Sequence, residues 1–317
     1  MTGGTALVLS GSGVPAAYFG AGVIQALEAA GERPTVVSGS SFGAVNAYAL
    51  GAGLDGLSLA RMWCHMGWRD VYRPRTDVWR AVNARRLLRP TTNIAEYALG
   101  AAGWTWLLDP APMRATLARH VGRARLGETS DVTVVLPAVD EVTGTTVRFC
   151  SRLPPKRRRD PWFRQVDLTV DHVLASAAVP LLFRPGSEDS RALVDAGLVA
   201  ATPLAPVMRY EPERVIVVSG AGISRPTSAP DSLGAAIALL ADNIAAAALA
   251  ADLGHAQTVN RLARAAPGST VKRDVPILLI EPAAPGYPLD WFLEFSATRA
   301  RRIMEYGREQ AGKALAG

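Results

Sequence analysis

The sequence predicts an α/β fold with a mostly parallel sheet and helices on both of its faces. Short apolar runs alternate with stretches of helical period, a Gly-rich turn follows the first run, and a tight turn at Ser41 joins the second run to a helix. Ala6-Leu7-Val8-Leu9 is the first strand. Ser10 to Ala16 is a turn region, and Ala17 to Ala30 carries apolar residues at helical spacing until Gly31. Thr35-Val36-Val37 then runs through Gly39-Ser40-Ser41-Phe42-Gly43 into Ala44-Val45-Asn46-Ala47-Tyr48-Ala49-Leu50. That order is a parallel βαβ opening.

From about Leu54 to Arg125 no strand is evident, and a largely helical insertion is expected at 54–125. Its helical patches, Leu59 to Met66 and Met113 to Val121, bracket the aromatic run Trp104-Thr105-Trp106-Leu107-Leu108. That run could line an acyl-chain pocket, cover the Ser41 turn as a lid, or simply pack in the core. Val132 to Leu136 and Thr145 to Phe149 flank Asp140-Glu141-Val142-Thr143-Gly144, which reads as a hairpin. Val173 to Ala178 is a short helix stopped before Pro180, and Ala192-Leu193-Val194 is a strand running into Asp195-Ala196-Gly197. Val215 to Ser219 is apolar enough to be an inner strand. Pro230 to Ala266 is a helix apart from Gly254, Val275 to Ile280 a last strand, and Ser296 to Leu315 a closing helix. No repeat or linker divides the chain, so residues 1–317 are expected to form one domain.

At 317 residues, 49% apolar and 20% charged, the chain has the balance of a globular protein with a sizeable core. No basic, then apolar leader and no unbroken 18-residue apolar run is present, which predicts neither a signal peptide nor a membrane span. Two cysteines, Cys64 and Cys150, suggest buried thiols in a reducing compartment, and hence the cytoplasm. The net charge of +6 is almost all arginine, since Lys156, Lys272 and Lys313 are the only lysines. Lys156-Arg157-Arg158-Arg159 is either a solvated loop or a contact for an anionic membrane or an acidic carrier protein. Nucleic acid is not expected, because no aromatic residues interleave with those charges.

Ser41 is the best candidate for a reactive atom, for its strand, sharp turn and helix setting is that of a nucleophile elbow. A serine alcohol needs a proton acceptor. The four histidines, His65, His120, His172 and His255, fit poorly: only His255 follows Asp195, and it lies in a helical stretch, while His172 reads as a surface or helix-capping residue. Asp195, at a strand end, is a more attractive base, although Asp-x-Gly after a strand is also an ordinary turn. Gly11-Ser12-Gly13 offers bare amides at a helix start, able to cradle an oxyanion or a phosphate. A dinucleotide reading of Gly11-x-Gly13-x-x-Ala16 fails, because the second strand ends in Ser38-Gly39-Ser40-Ser41 where an acidic residue is required.

Together these elements resemble the patatin-like phospholipases. The likeness extends to Gly22-Val23-Ile24-Gln25-Ala26-Leu27-Glu28, to Ala175-Ser176-Ala177-Ala178-Val179-Pro180 leading to Phe183, and to Arg299-Ala300 through Gly307. It implies a three-layer α/β/α fold and a Ser-Asp dyad without histidine, with Ser41 as nucleophile and Asp195 as base. It further implies oxyanion donors from Gly11, Ser12, Gly13 and Val14, elbow glycines at Gly39 and Gly43, an acyl ester or phospholipid substrate, and no metal or organic cofactor. The chain departs from the family pattern where Pro15 and Ala16 replace arginine and glycine in the oxyanion loop, and where Ala196 replaces glycine after Asp195. Those changes leave three further expectations beside the lipid hydrolase: an acyltransferase, a thioesterase, or a non-catalytic member that binds lipid or a partner.

Overall fold

Val, Leu and Ile on alternating sides of short strands, joined by apolar helices, build a layered chain, described here for residues 3–77, 103–122, 125–127, 130–197, 202–220, 229–230, 232–265, 273–283, 293 and 295–316 of a computed structural model. The elements run β1 (Thr5–Leu9), α1 (Gly13–Ala29), β2 (Pro34–Gly39), α2 (Phe42–Gly51), α3 (Gly56–His65), α4 (Trp68–Val71), β3 (Arg73–Pro74), β4 (Trp106–Asp109) and α5 (Ala111–Val121). They continue through β5 (Thr133–Asp140), β6 (Thr146–Cys150), a 3-10 turn (Lys156–Arg158), β7 (Phe163–Gln165), α6 (Val170–Ser176), β8 (Leu181–Phe183), β9 (Gly186–Glu188) and β10 (Arg191–Asp195). The chain closes with α7 (Leu204–Met208), β11 (Arg214–Val218), α8 (Leu233–Ala265), β12 (Ile277–Ile280) and α9 (Ala297–Ala316).

Among the described residues, nine strands form the main sheet, with β12, β11, β1, β2 and β5 parallel in that order. The second half of β5 pairs with antiparallel β10, which pairs in turn with β9. β6 forms the expected hairpin with β5. Alternation along β1 shows why both faces are covered: Leu7 and Leu9 join one apolar cluster, with residues of α1, α2, α3 and α9, while Ala6 and Val8 join another, with α7 and α8. β11 alternates in the same way, and a strand buried on both faces is apolar throughout.

Inside the first cluster, buried Asn46 of α2 ties three helices. Its Nδ2 donates to the Ala17 carbonyl of α1 at 2.9 Å, and its Oδ1 accepts from Trp63 Nε1 of α3 at 2.7 Å. Trp63 is fully buried, and a buried aromatic that satisfies its N–H adds its whole apolar area to the core. The closing helix α9 packs against α1, where the Met304 backbone occupies the space that a side chain at Gly22 would need.

The stretch 54–125 is not free of strands, and residues 78–102 within it lie outside the described set. β4 pairs antiparallel with β3 and parallel with β8 in a small second sheet. Trp106 and Leu108 thus lie on a strand. These strands are two to four residues long and draw their stability from distant partners, so no local period announces them. α8 runs unbroken through Gly254, which the sequence reading set apart.

Candidate active site

Ser41 ends the turn after β2 and stands at the N-cap of α2 with φ 54° and ψ −132°, outside the ordinary regions for a residue with a Cβ. The flanking glycines are required by close packing. A Cβ at Gly43 would lie 2.5 Å from the carbonyl oxygens of Leu9 and Ser10, and one at Gly39 would collide with the Gly43 backbone. β1, β2 and the start of α2 are thereby pressed together, and the first-turn amides of α2 and its positive end are aimed at the serine.

Asp195 reaches the same place from β10. Ser38 of β2 is level with Val135 of β5, and Asp195 is level with Ala138. Ser41 lies just past the end of β2 and Asp195 is the last residue of β10, and the Ser41 hydroxyl is near enough to influence the Asp195 carboxyl. A backbone clamp fixes both: the Ser41 amide donates to the Ser176 carbonyl at 3.1 Å, and the Asp195 amide donates to the Ala178 carbonyl at 2.9 Å. The Gly197 amide donates to Asp195 Oδ1 at 2.6 Å.

Burial pushes the Asp195 carboxyl up to about 6, with the Ser41 hydroxyl and the Gly197 amide pulling it back. Ser41 is close enough to act on that carboxyl, yet its Oγ makes no hydrogen bond of ordinary length and angle. Contacts of this kind are often loose without substrate and tighten in the complex. Both residues are only 3% exposed.

The loop after β1 lies alongside. Ser12 takes a left-handed conformation at φ 88° and caps α1, whose first helical positions are Gly13 and Val14. Amides at those positions have no acceptor within the helix. Pro15 follows at the third position, where its missing N–H takes nothing from the helix. Ser10 Oγ buckles the loop down, donating to the Gly11 carbonyl at 3.1 Å and accepting from the Gly220 amide at 2.8 Å.

None of the four histidines joins Ser41. His172 caps α6, its Nδ1 accepting from the Thr169 amide at 2.9 Å, with its ring against Phe149. His65 bonds its own helix at Arg61, His120 sits near His65 and Asp70, and His255 lies on α8 at the far end of the sheet. Arg158 and Arg159 of the basic run turn to Glu211 and to the Pro154 carbonyl, at 2.9 and 3.0 Å. The aromatic run flanks the elbow through its sheet: Phe183 on β8 meets Phe42, the residue after Ser41, with ring centres 6.4 Å apart. Arg75 lies over the Trp106 ring at 4.2 Å. The clamp at Ser176 to Ala178 is the part of the site that residue chemistry did not reveal, since it acts through carbonyls. Its one signal was the Ala-Ser-Ala-Ala-Val-Pro motif in which it lies. Among the described residues no group of acidic, His or Cys side chains is arranged to hold a metal ion, and no helix is long and apolar enough to cross a membrane.

No curated protein matches the chain significantly. Among solved structures, VipD from Legionella pneumophila aligns at 14% identity over 99% of this chain and 67% of that one, with a TM-score of 0.43, too loose a likeness to carry an argument. The family model for patatin-like phospholipases matches residues 7–208, a span holding the elbow, the loop after β1 and Asp195. The chain therefore belongs to the patatin-like phospholipase family, a family of lipid acyl hydrolases.

Proposed function

We propose that the protein cleaves lipid acyl esters through Ser41 and Asp195. The Ser41 hydroxyl attacks the ester carbonyl carbon and its proton passes to the Asp195 carboxylate. The oxyanion so formed is met by amides of Gly11, Ser12, Gly13 and Val14 at the start of α1. Collapse breaks the ester C–O bond, and the leaving alkoxide takes the proton from Asp195, leaving an acyl group on Ser41. Water then attacks that ester, giving its proton to Asp195, and the second collapse returns the proton to Ser41. No cofactor enters these steps.

The observation that carries this reading is the clamp, in which the carbonyls of Ser176 and Ala178, two residues apart in one short segment, hold the backbones of both residues. A carboxyl raised to about 6 is still mostly ionised at pH 7 and is a stronger base than an ordinary aspartate. Labelling with a fluorophosphonate probe tests the proposal: wild-type protein should react at Ser41 and Ser41→Ala should not. Folded wild-type protein that never labels would point instead to a member that binds lipid or a partner without turnover.

A second reading uses the same acyl-enzyme, with an alcohol, amine or thiol acceptor taking the place of water in the second step. Turnover of acyl esters and acyl-thioesters with and without added acceptor separates transfer from hydrolysis.

A further inference from the structure

At the end of the sheet opposite Ser41, a cavity of about 240 Å³ opens between α7, α8 and the starts of β11 and β12. Neither Ser41 nor Asp195 lines it, and the length of β11 lies between: Glu211 and Pro212 precede that strand, while Gly220 beyond it reaches Ser10 of the loop after β1. Three separate segments bring arginines to its wall. Arg158 comes from the basic run, Arg209 from the end of α7 and Arg273 from the approach to β12.

We propose that this cavity binds a compact amphiphilic anion, a single phosphate or carboxylate head on a short alkyl chain. The charge pattern supports the head. Arg158 is matched to Glu211 at 2.9 Å, and Asp160 is held by Arg148 at 2.6 Å, so Arg209, 3.7 Å from Asp160, has only a shared and distant partner. Arg273 donates to the carbonyls of Glu211 and Pro212, at 2.6 and 3.2 Å, contacts that orient its guanidinium without neutralising it. Two guanidiniums lining one cavity, that of Arg273 held by backbone carbonyls, suit the oxygens of a phosphate or carboxylate. Across from them Asp252 is the other carboxylate on the wall, and its burial favours the neutral form, with His255 working against that. The chain half of the ligand is supported by the floor: Leu204 and Met208 of α7, Val259 of α8 and Val275. The volume is below the roughly 300–1,000 Å³ that holds drug-sized ligands, which excludes a diacyl lipid and suits a short single chain.

Calorimetry on full-length Ser41→Ala protein, which cannot turn the ligands over, tests this with hexyl phosphate, hexanoate, inorganic phosphate and hexanol. Hexyl phosphate or hexanoate should bind one to one, at least about tenfold more tightly than inorganic phosphate or hexanol. Tighter binding of hexyl phosphate assigns a phosphate head, and tighter binding of hexanoate a carboxylate. The exposed pair Arg209→Gln with Arg273→Gln should weaken binding about tenfold or more. Ala256→Phe, which fills the cavity, should abolish it in protein whose circular dichroism is unchanged. Absence of heat from both amphiphiles overturns the proposal, as does binding that survives both sets of variants. Binding lost from wild-type protein once Ser41 carries a fluorophosphonate would place the ligand at the other end of the sheet and also overturn it.

Discussion

The two ends of the parallel sheet are built by opposite rules. At the elbow end a cluster of hydroxyls is buried without hydrogen bonds of ordinary length and angle, those of Ser12, Ser40, Ser41 and Ser176. Positive φ angles occur at both ends, at Ser12 and Ser41 on one and at Glu211 on the other, so the difference lies in the pairing of polar groups. At the far end buried polar groups are paired, Glu211 with Arg158, and Asn260 with both the carbonyl and the amide of Val275 at 2.7 and 3.1 Å. An unpaired buried polar group costs about 1–3 kcal/mol, so a protein keeps a cluster of them only where the surrounding packing over-determines it. The contrast separates a rim organised around chemistry from one organised around cohesion. Substitutions should therefore cost function without stability at the first end and stability without function at the second.

The largest expected effect is Ser41→Ala, which should lower kcat by roughly ten-thousand-fold or more while leaving the melting temperature almost unchanged. Steady-state esterase assays beside thermal melts check both halves. Asp195→Asn should cost a similar factor, and it sharpens the contrast because it should also stabilise the protein. With a carboxyl pKa of about 6 in the fold against an ordinary 3.8, the native state holds a proton that the unfolded chain has released between those values. Stability therefore falls as pH rises from about 4 to 6 and stays lower above. The neutral asparagine avoids that loss, a gain of about 1–3 kcal/mol at pH 7 that vanishes near pH 4, measurable by urea unfolding at the two pH values. A variant less stable at pH 7 would mean that the carboxylate holds the rim together.

At the far end Arg158→Ala should do the reverse. It removes a charged partner from the mostly buried Glu211, which should cost about 1–3 kcal/mol in the same unfolding experiment, with kcat moving less than about threefold. Equal losses of activity and stability would join the two ends into one unit. A smaller effect is the pH profile of the wild-type enzyme: kcat/KM should fall about tenfold per unit below pH 6 and level off above, as Asp195 loses its role as base on protonation. A profile flat down to pH 4 would remove Asp195 from the proton transfer.

The elbow was legible in the sequence because close backbone packing leaves room only for glycine at positions 39 and 43, and such demands show in residue type around Ser41. Asp195 was half legible: its strand was, but nothing in Ala192-Leu193-Val194 revealed that β10 runs antiparallel to β5, since direction is set by pairing far along the chain. The clamp, the small sheet around Trp106 and the Arg158–Glu211 pair were not legible as contacts. The first works through carbonyls every residue possesses, and the others join segments whose separation no periodicity encodes.

Pro15 tests how far a sequence motif can mislead at this rim. Pro15 departs from the family pattern and has no N–H to donate, yet at the third position of α1 it stands after Gly13 and Val14, whose amides remain in place. Pro15→Ala should then lower stability by only about 0.5–1 kcal/mol, by freeing the unfolded chain. It should shift kcat/KM by less than about threefold, because the amides proposed to meet the developing charge are untouched. A rise of about a hundredfold would instead make the restored amide the missing donor, and would move the centre of the oxyanion site one residue deeper into the helix.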